Sequence, residues 1–272
     1  MVAFCEFVKF FCVRFTLMRP GKKKPESYQE RTYRHQAEQS DLVSSLVQIK
    51  ETDLHIQADR DVTKRATELV LQYRLQIEEY IVRHPDFYAT LAPLPMDNLA
   101  PPVVRDMLWA AEAAGVGPMA AVAGSIAAFV GKKLVSEGVA EIIVENGGDI
   151  FLHRQKECMV AIFAGQSVLS NKVGVLITPA QMPCGICTSS GTVGHSLSLG
   201  KADSVTVVAE SAALADAVAT CIGNEVGGVN GGKAGINRAL QKAKEIAGIS
   251  GVVVICGDVL GAVGDVQLIR LE

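Results

Sequence analysis

The chain has 272 residues, 49% of them apolar and 20% charged, with a net charge of only −3. That length supports one substantial core or two small ones, and so balanced a charge excludes a general polyanion binder, which leaves nucleic acid out of the expected partners. Seven cysteines, an odd number scattered through apolar runs, fit reduced thiols and a cytoplasmic location rather than a disulfide framework.

Residues 1–17 are apolar and aromatic, but Glu6, Lys9 and Arg14 interrupt them, a poor match to a secretory signal or a membrane span. Residues 1–25 read as a variable leader, with translation expected to start at Met18, and 26–272 as a single α+β domain. Leu42 to Lys50 and Asp53 to Ala58 alternate as an edge hairpin does, around Glu51-Thr52. From Asp61, the expected N-cap, to His84, apolar residues recur at helical steps and Pro85 stops them. Prolines 93, 95, 101 and 102 lead into a helix over Val103 to Ala114 that ends at Gly115 and whose Trp109 is expected in the core. Met119 to Glu137 reads as a second helix, apolar nearly all round and therefore buried. Gly124 inside it costs about 1 kcal/mol against alanine, which calls for close packing or a ligand passing near.

The most informative stretch follows. Two β-prone runs, Ile142 to Val144 and Ile150 to Leu152, flank Glu145-Asn146-Gly147-Gly148-Asp149. Asn-Gly between such runs predicts a tight hairpin; glycines without Cβ also let a ligand approach the backbone, with Glu145 and Asp149 as polar contacts. Strands are expected at Met159 to Phe163, Val173 to Ile177 and Cys184 to Thr188, giving a mixed sheet. The run Thr188 to Ser196, hydroxyls and glycines with His195, is either a flexible loop or one that faces phosphate or ribose oxygens. Cys184 and Cys187 form a C-x-x-C that supplies at most half a structural zinc site.

Strand Val205 to Ala209 runs into Ser211, an N-cap for a helix over Ala212 to Ile222. Asp216 and Thr220 stand four apart, on one face of a helix otherwise made of small and apolar residues. A carboxylate so placed needs a partner, because burying it uncompensated costs several kcal/mol; the pair suggests oxygen ligands for a hard cation such as Mg²⁺. The chain closes with a helix over Ile236 to Ala247, a strand at Val252 to Cys256, a loop over Gly257 to Gly264 and a strand at Val266 to Leu271. Stretches 119–152 and 236–271 share a helix, strand, turn, strand outline that hints at two pseudo-symmetric halves.

In order and spacing, Gly147-Gly148-Asp149-Ile150, then Thr188-Ser189 before Gly191, then Ser204 to Ala209 followed by Ala215-Asp216-Ala217-Val218-Ala219-Thr220 resemble the ApbE-like superfamily of FAD-dependent flavin transferases. The resemblance covers roughly 115 to 225. With Glu30 to Arg34 and Thr192 to Ser196, the whole chain is similar to an uncharacterised cytoplasmic family within that superfamily. The resemblance implies an α+β fold, a mixed and mostly antiparallel sheet packed with helices in a T-fold-related architecture. It also implies FAD in a cleft, Mg²⁺ on the diphosphate and FMN transfer to a protein Ser or Thr.

Carried over by position, Asp216, Thr220 and the Val122 carbonyl hold Mg²⁺. Gly124, Glu145, Gly147, Gly148, Asp149, Thr188, Ser189 and Gly191 border the nucleotide; on the enzyme reading, His195 serves as catalytic acid or base. Three positions depart from the family pattern: its lysine is Ala123, its asparagine two before the glycine pair is Glu145, and its His-x-x-Asp-Pro segment is shortened to His195 to Leu199. Three functions compete on this reading: a metal-assisted transferase, a small-molecule-binding or regulatory protein of the same fold, and a structural protein with no cleft at these residues. The apolar surplus makes a homodimer an expected assembly.

Overall fold

The computed structural model describes residues 13–14, 41–191, 200–226 and 232–271. The expectations for the rest of the leader, and for His195, lie outside them. In chain order the elements are β1 (Val13–Arg14), β2 (Val43–Ile49), β3 (Thr52–Ala58), α1 (Thr63–Arg83), α2 (Asp86–Ala89), α3 (Pro102–Ala114) and α4 (Val122–Ser136). After these come β4 (Ile142–Asn146), β5 (Asp149–His153), β6 (Cys158–Ala161), β7 (Val173–Ile177), β8 (Cys184–Ser189) and β9 (Ser204–Ala209). Helices α5 (Ala212–Glu225) and α6 (Lys233–Ala243), then β10 (Ile249–Cys256), β11 (Val259–Gly264) and β12 (Gln267–Arg270), complete the chain.

Nine strands form one sheet in the order β1-β11-β10-β9-β8-β5-β4-β3-β2, and β12-β7-β6 form a second. The fold is α+β as expected, and every ladder among the described residues is antiparallel. Because strand side chains alternate, the large sheet has two apolar faces. Val144, Phe151, Cys187, Val205, Val207, Val252 and Val254 face the helices; Ile143, Leu152, Ile186, Val208, Val253 and Ile255 face the smaller sheet, where Val175 and Ile177 meet them. Helices, large sheet and small sheet therefore make three layers around two cores.

Local chemistry explains most boundaries. Gly115 is left-handed at φ 72° and ends α3, and Ser211 caps α5 by accepting the Leu214 N–H at 3.5 Å. Several expectations need correction. Asp61 accepts the Thr63 N–H at 2.8 Å, yet the residue at the α1 boundary is Val62. Residues 118–121 form a 3₁₀ turn before α4. Trp109 lies on the outer side of α3, 44% exposed. The segment after Gly257 is β11, which pairs residue by residue with β10; its Gly-Ala-rich sequence hides the alternation that marks a strand. Pro118–Ser136 has the length and hydropathy of a membrane span, but it packs against α5, β4 and β5 as a core helix does.

Two glycines let α5 settle where it does. A Cβ on Gly185 of β8 would sit 2.2 Å from Ala212 Cα, and one on Gly124 of α4 would sit 2.2 Å from the Ala212 carbonyl oxygen. Backbone cannot yield as a side-chain tip can, so Gly185→Ala is expected to cost at least the 1–3 kcal/mol (roughly) of an overpacked core. Urea unfolding would show this as a lowered midpoint at unchanged slope, and a midpoint equal to that of the wild type would contradict the packing described.

Candidate functional site

The β4–β5 hairpin sets the geometry. Gly147 at φ 70° and Gly148 at φ 109° make the turn, with Asn146 and Asp149 paired across it; two successive positive φ values are what a two-residue I′ turn demands. Cys187 pairs with Asp149 on the next strand. Alternation then places Asn146, Asp149, Cys187 and Ser189 on the helix-covered face, since Leu54 opposite Asn146 and Val205 opposite Ser189 both belong to that core.

Helix α4 begins on this face without a side-chain cap of its own. Asp216 supplies one from α5: its Oδ2 accepts the Gly124 N–H at 2.9 Å, and its carboxylate also accepts from Ala123 N–H. Asn146 Nδ2 donates to the Ala123 carbonyl at 3.1 Å, so the first turn of α4 is held from both sides. Gly124 answers the choice left by the sequence in favour of packing, because a Cβ there would also lie 2.9 Å from Asp216 Cβ. Along α5, Asp216, Thr220 and Asn224 form a half-buried stripe on an otherwise mostly buried helix, as the four-residue spacing predicts.

Two carboxylates thus sit in a desolvated place. Burial raises the Asp216 pKa well above the ordinary value, the charge of Asp149 raises it further, and the N–H groups of Gly124 and Ala123 oppose them. Asp149 is pushed up to about 7, mainly by burial, against a hydrogen bond from the Cys187 thiol; the Glu145 charge raises it further and the Thr188 N–H opposes. Among the described residues neither carboxylate makes an ion pair.

Not every expected residue joins them. Glu145 pairs with Ile150, which packs toward the smaller sheet, so its side chain leaves on the opposite face and accepts the Gly148 N–H at 3.0 Å. Thr188 lies on that opposite face too, bonded to Thr206 Oγ1 at 2.9 Å. Gly191 N–H donates to the Ala202 carbonyl at 2.9 Å, and a Cβ there would be 2.2 Å from the Gly200 oxygen, so this glycine packs against the backbone just before β9 and not against the carboxylates. Val122 is the half-buried first residue of α4. Cys184 and Cys187, three apart on a strand, point to opposite cores and cannot act as a C-x-x-C pair. Asn146 and the thiol of Cys187 join the site without being among the residues expected there; strand parity counted from the glycine turn places both on this face.

The model of the family described as AbpE bacteria matches residues 34–268. The chain belongs to that family. A UPF0280 protein of Methanococcus aeolicus is 40% identical over 235 residues, covering 85% of this chain and 94% of its own. Another, from Methanocaldococcus jannaschii, is 42% identical over 228 residues, covering 82% and 92%. Among solved structures, the ApbE protein of Thermotoga maritima superposes with a TM-score of 0.50 at 12% identity, over 85% of this chain and 97% of that one. The likeness supports an ApbE-like fold.

The raised carboxylates make stability depend on pH. An acid whose folded pKa exceeds its unfolded value binds protons more tightly when folded, so its stabilising contribution is complete below about 3.8 and is lost as pH rises through about 7. Metal-free wild type is expected to lose more thermal stability between pH 5 and pH 8 than the Asp149→Asn/Asp216→Asn variant, whose amides do not ionise. Parallel melting-temperature profiles for the two proteins would refute the raised pKa values of Asp149 and Asp216.

Proposed function

We propose that this site binds a diphosphate-bearing nucleotide of the flavin class, FAD foremost, together with Mg²⁺. One observation carries the reading: two half-buried, desolvated carboxylates, Asp149 and Asp216, lie close enough to raise each other's pKa beside the start of α4, with no basic side chain among the described residues to offset them. Leaving even one carboxylate buried and unpaired costs several kcal/mol, and a divalent cation removes that cost.

The residues fit such an ion. Among the described residues no three His, Cys, Asp or Glu side chains group to hold a metal unaided. Mg²⁺ asks for less, one or two carboxylates with water and substrate phosphate oxygens completing the shell. Asp216 and Asp149 would supply the carboxylates and Thr220 a hydroxyl. When bound, the cation would neutralise charge on the diphosphate. The chain's own part is to orient that group: the side-chain-free turn at Gly147-Gly148 leaves room beside the carboxylates, and α4, fixed by Asn146 and Asp216, keeps them in place. Membership of an ApbE-like family supports flavin as the nucleotide class, and a protein Ser or Thr as the acceptor if transfer occurs.

A second reading, binding or regulation without transfer, draws on Ala123. It presents a methyl where the resemblance expects a lysine, and its N–H and carbonyl are both engaged, by Asp216 and Asn146.

Flavin fluorescence titration tests the shared part. FAD should bind saturably only with Mg²⁺, and Asp216→Ala should weaken it about tenfold or more. Binding indifferent to both Mg²⁺ and that substitution would defeat the assignment. AMP release with covalent flavin on an added acceptor protein would select the transferase; saturable binding without AMP would select the second reading.

A further inference from the structure

Cys187 is fully buried and stands directly across from Asp149 in the β5–β8 ladder. Its Sγ lies 3.3 Å from the Ala212 carbonyl and within hydrogen-bonding reach of the Asp149 carboxyl, so its single proton can be given to either acceptor, one at a time. Ala212 is the first residue of α5, one helical turn before Asp216. One small side chain therefore touches both the strand that carries one carboxylate and the helix turn that leads to the other.

We propose that Cys187 is a positioning residue of the cation site, fixing the Asp149 carboxylate relative to Asp216 by hydrogen bonding through its thiol. This rests on the reading of Asp149 and Asp216 as cation ligands. Three features distinguish it from mere filling of the core. Cys187 is the core residue that the register places against Asp149, so it is the neighbour able to supply a side-chain donor from β8. Gly185 and Gly124, both without Cβ, bring α5 close enough for a side chain as short as cysteine to reach its backbone. Its Sγ also lies 3.3 Å from the carbonyl of Ala212, the first residue of α5, so one side chain links β8 to the helix that carries the second carboxylate. Partners of this kind, bonded to a metal's ligands rather than to the metal, commonly change affinity by about 10–100-fold when removed.

Mn²⁺ is the probe, its free fraction read by electron paramagnetic resonance on the full chain, with thermal unfolding run in parallel. Wild type should bind Mn²⁺ saturably and Asp216→Ala should not. Cys187→Ala should bind about tenfold more weakly, and Cys187→Ser, which keeps a donor of similar reach, should stay within about threefold of wild type. If Cys187→Ala does not fold, Cys187→Val, apolar and close to the thiol in volume, takes its place. Cys187 variants that bind Mn²⁺ like wild type would overturn the proposal and leave Cys187 a packing residue. Equal weakening in the serine and the apolar variant would overturn it as well, because no donor would then be rescued. A wild type that binds no Mn²⁺ would instead bring down the cation site itself.

Discussion

The arrangement depends on one hydrogen bond, from the Gly124 N–H at the start of α4 to the Asp216 carboxylate on α5. An α-helix leaves its first N–H groups without internal partners, and α4 has no capping side chain of its own. Asp216 satisfies those donors from a neighbouring helix, and it can do so because Gly124 has no Cβ to hold the helices apart. The bond fixes α4 against α5 and draws a carboxylate into a desolvated position. The partial positive charge of the helix end favours that carboxylate, but burial outweighs it and the acid remains hard to ionise.

From there the sheet decides which groups can cooperate. A β-strand sends neighbours to opposite faces, so the polar cluster around the glycine turn, one patch in the sequence, is two patches in space. Asn146, Asp149 and Cys187 face the helices; Glu145 and Thr188 face the other way, each with a local partner. Only the first set meets Asp216. Glu145 remains close enough for its charge to raise the Asp149 pKa, so it acts on the site through the field rather than by contact.

Much of this was legible beforehand, for identifiable reasons. The β4–β5 hairpin, α3 with its glycine stop, and α5 with its serine cap each carry a strong local signal, and the Asp216–Thr220 stripe follows from helical spacing alone. What stayed hidden depends on register or on tertiary packing. β11 is built of Gly, Ala, Val and Leu, with no polar positions to mark its alternation. Trp109 is 44% exposed despite its size, because α3 presents its opposite side to α5. The function of Gly124 could be narrowed to packing or ligand, but only the approach of Ala212 and Asp216 separates the two. Cys187 drew attention as half of a C-x-x-C, whereas its strand setting splits that pair and joins the thiol to Asp149.

A purely structural account of Asp216 would stop at the helix cap. Serine, threonine or asparagine would cap α4 without bringing charge into the core, and an apolar neighbour in place of Asp149 would relieve Asp216 of the second unfavourable influence it now bears. The chain instead keeps two acids close together, one of them against a buried thiol, with no base among the described residues to compensate. Stability alone gives no reason for that combination, since each acid must be desolvated and their charges repel. A cation shared with an anionic ligand, as proposed, would give one, and the adjoining turn, whose two positive φ values already demand glycines, would leave room for it.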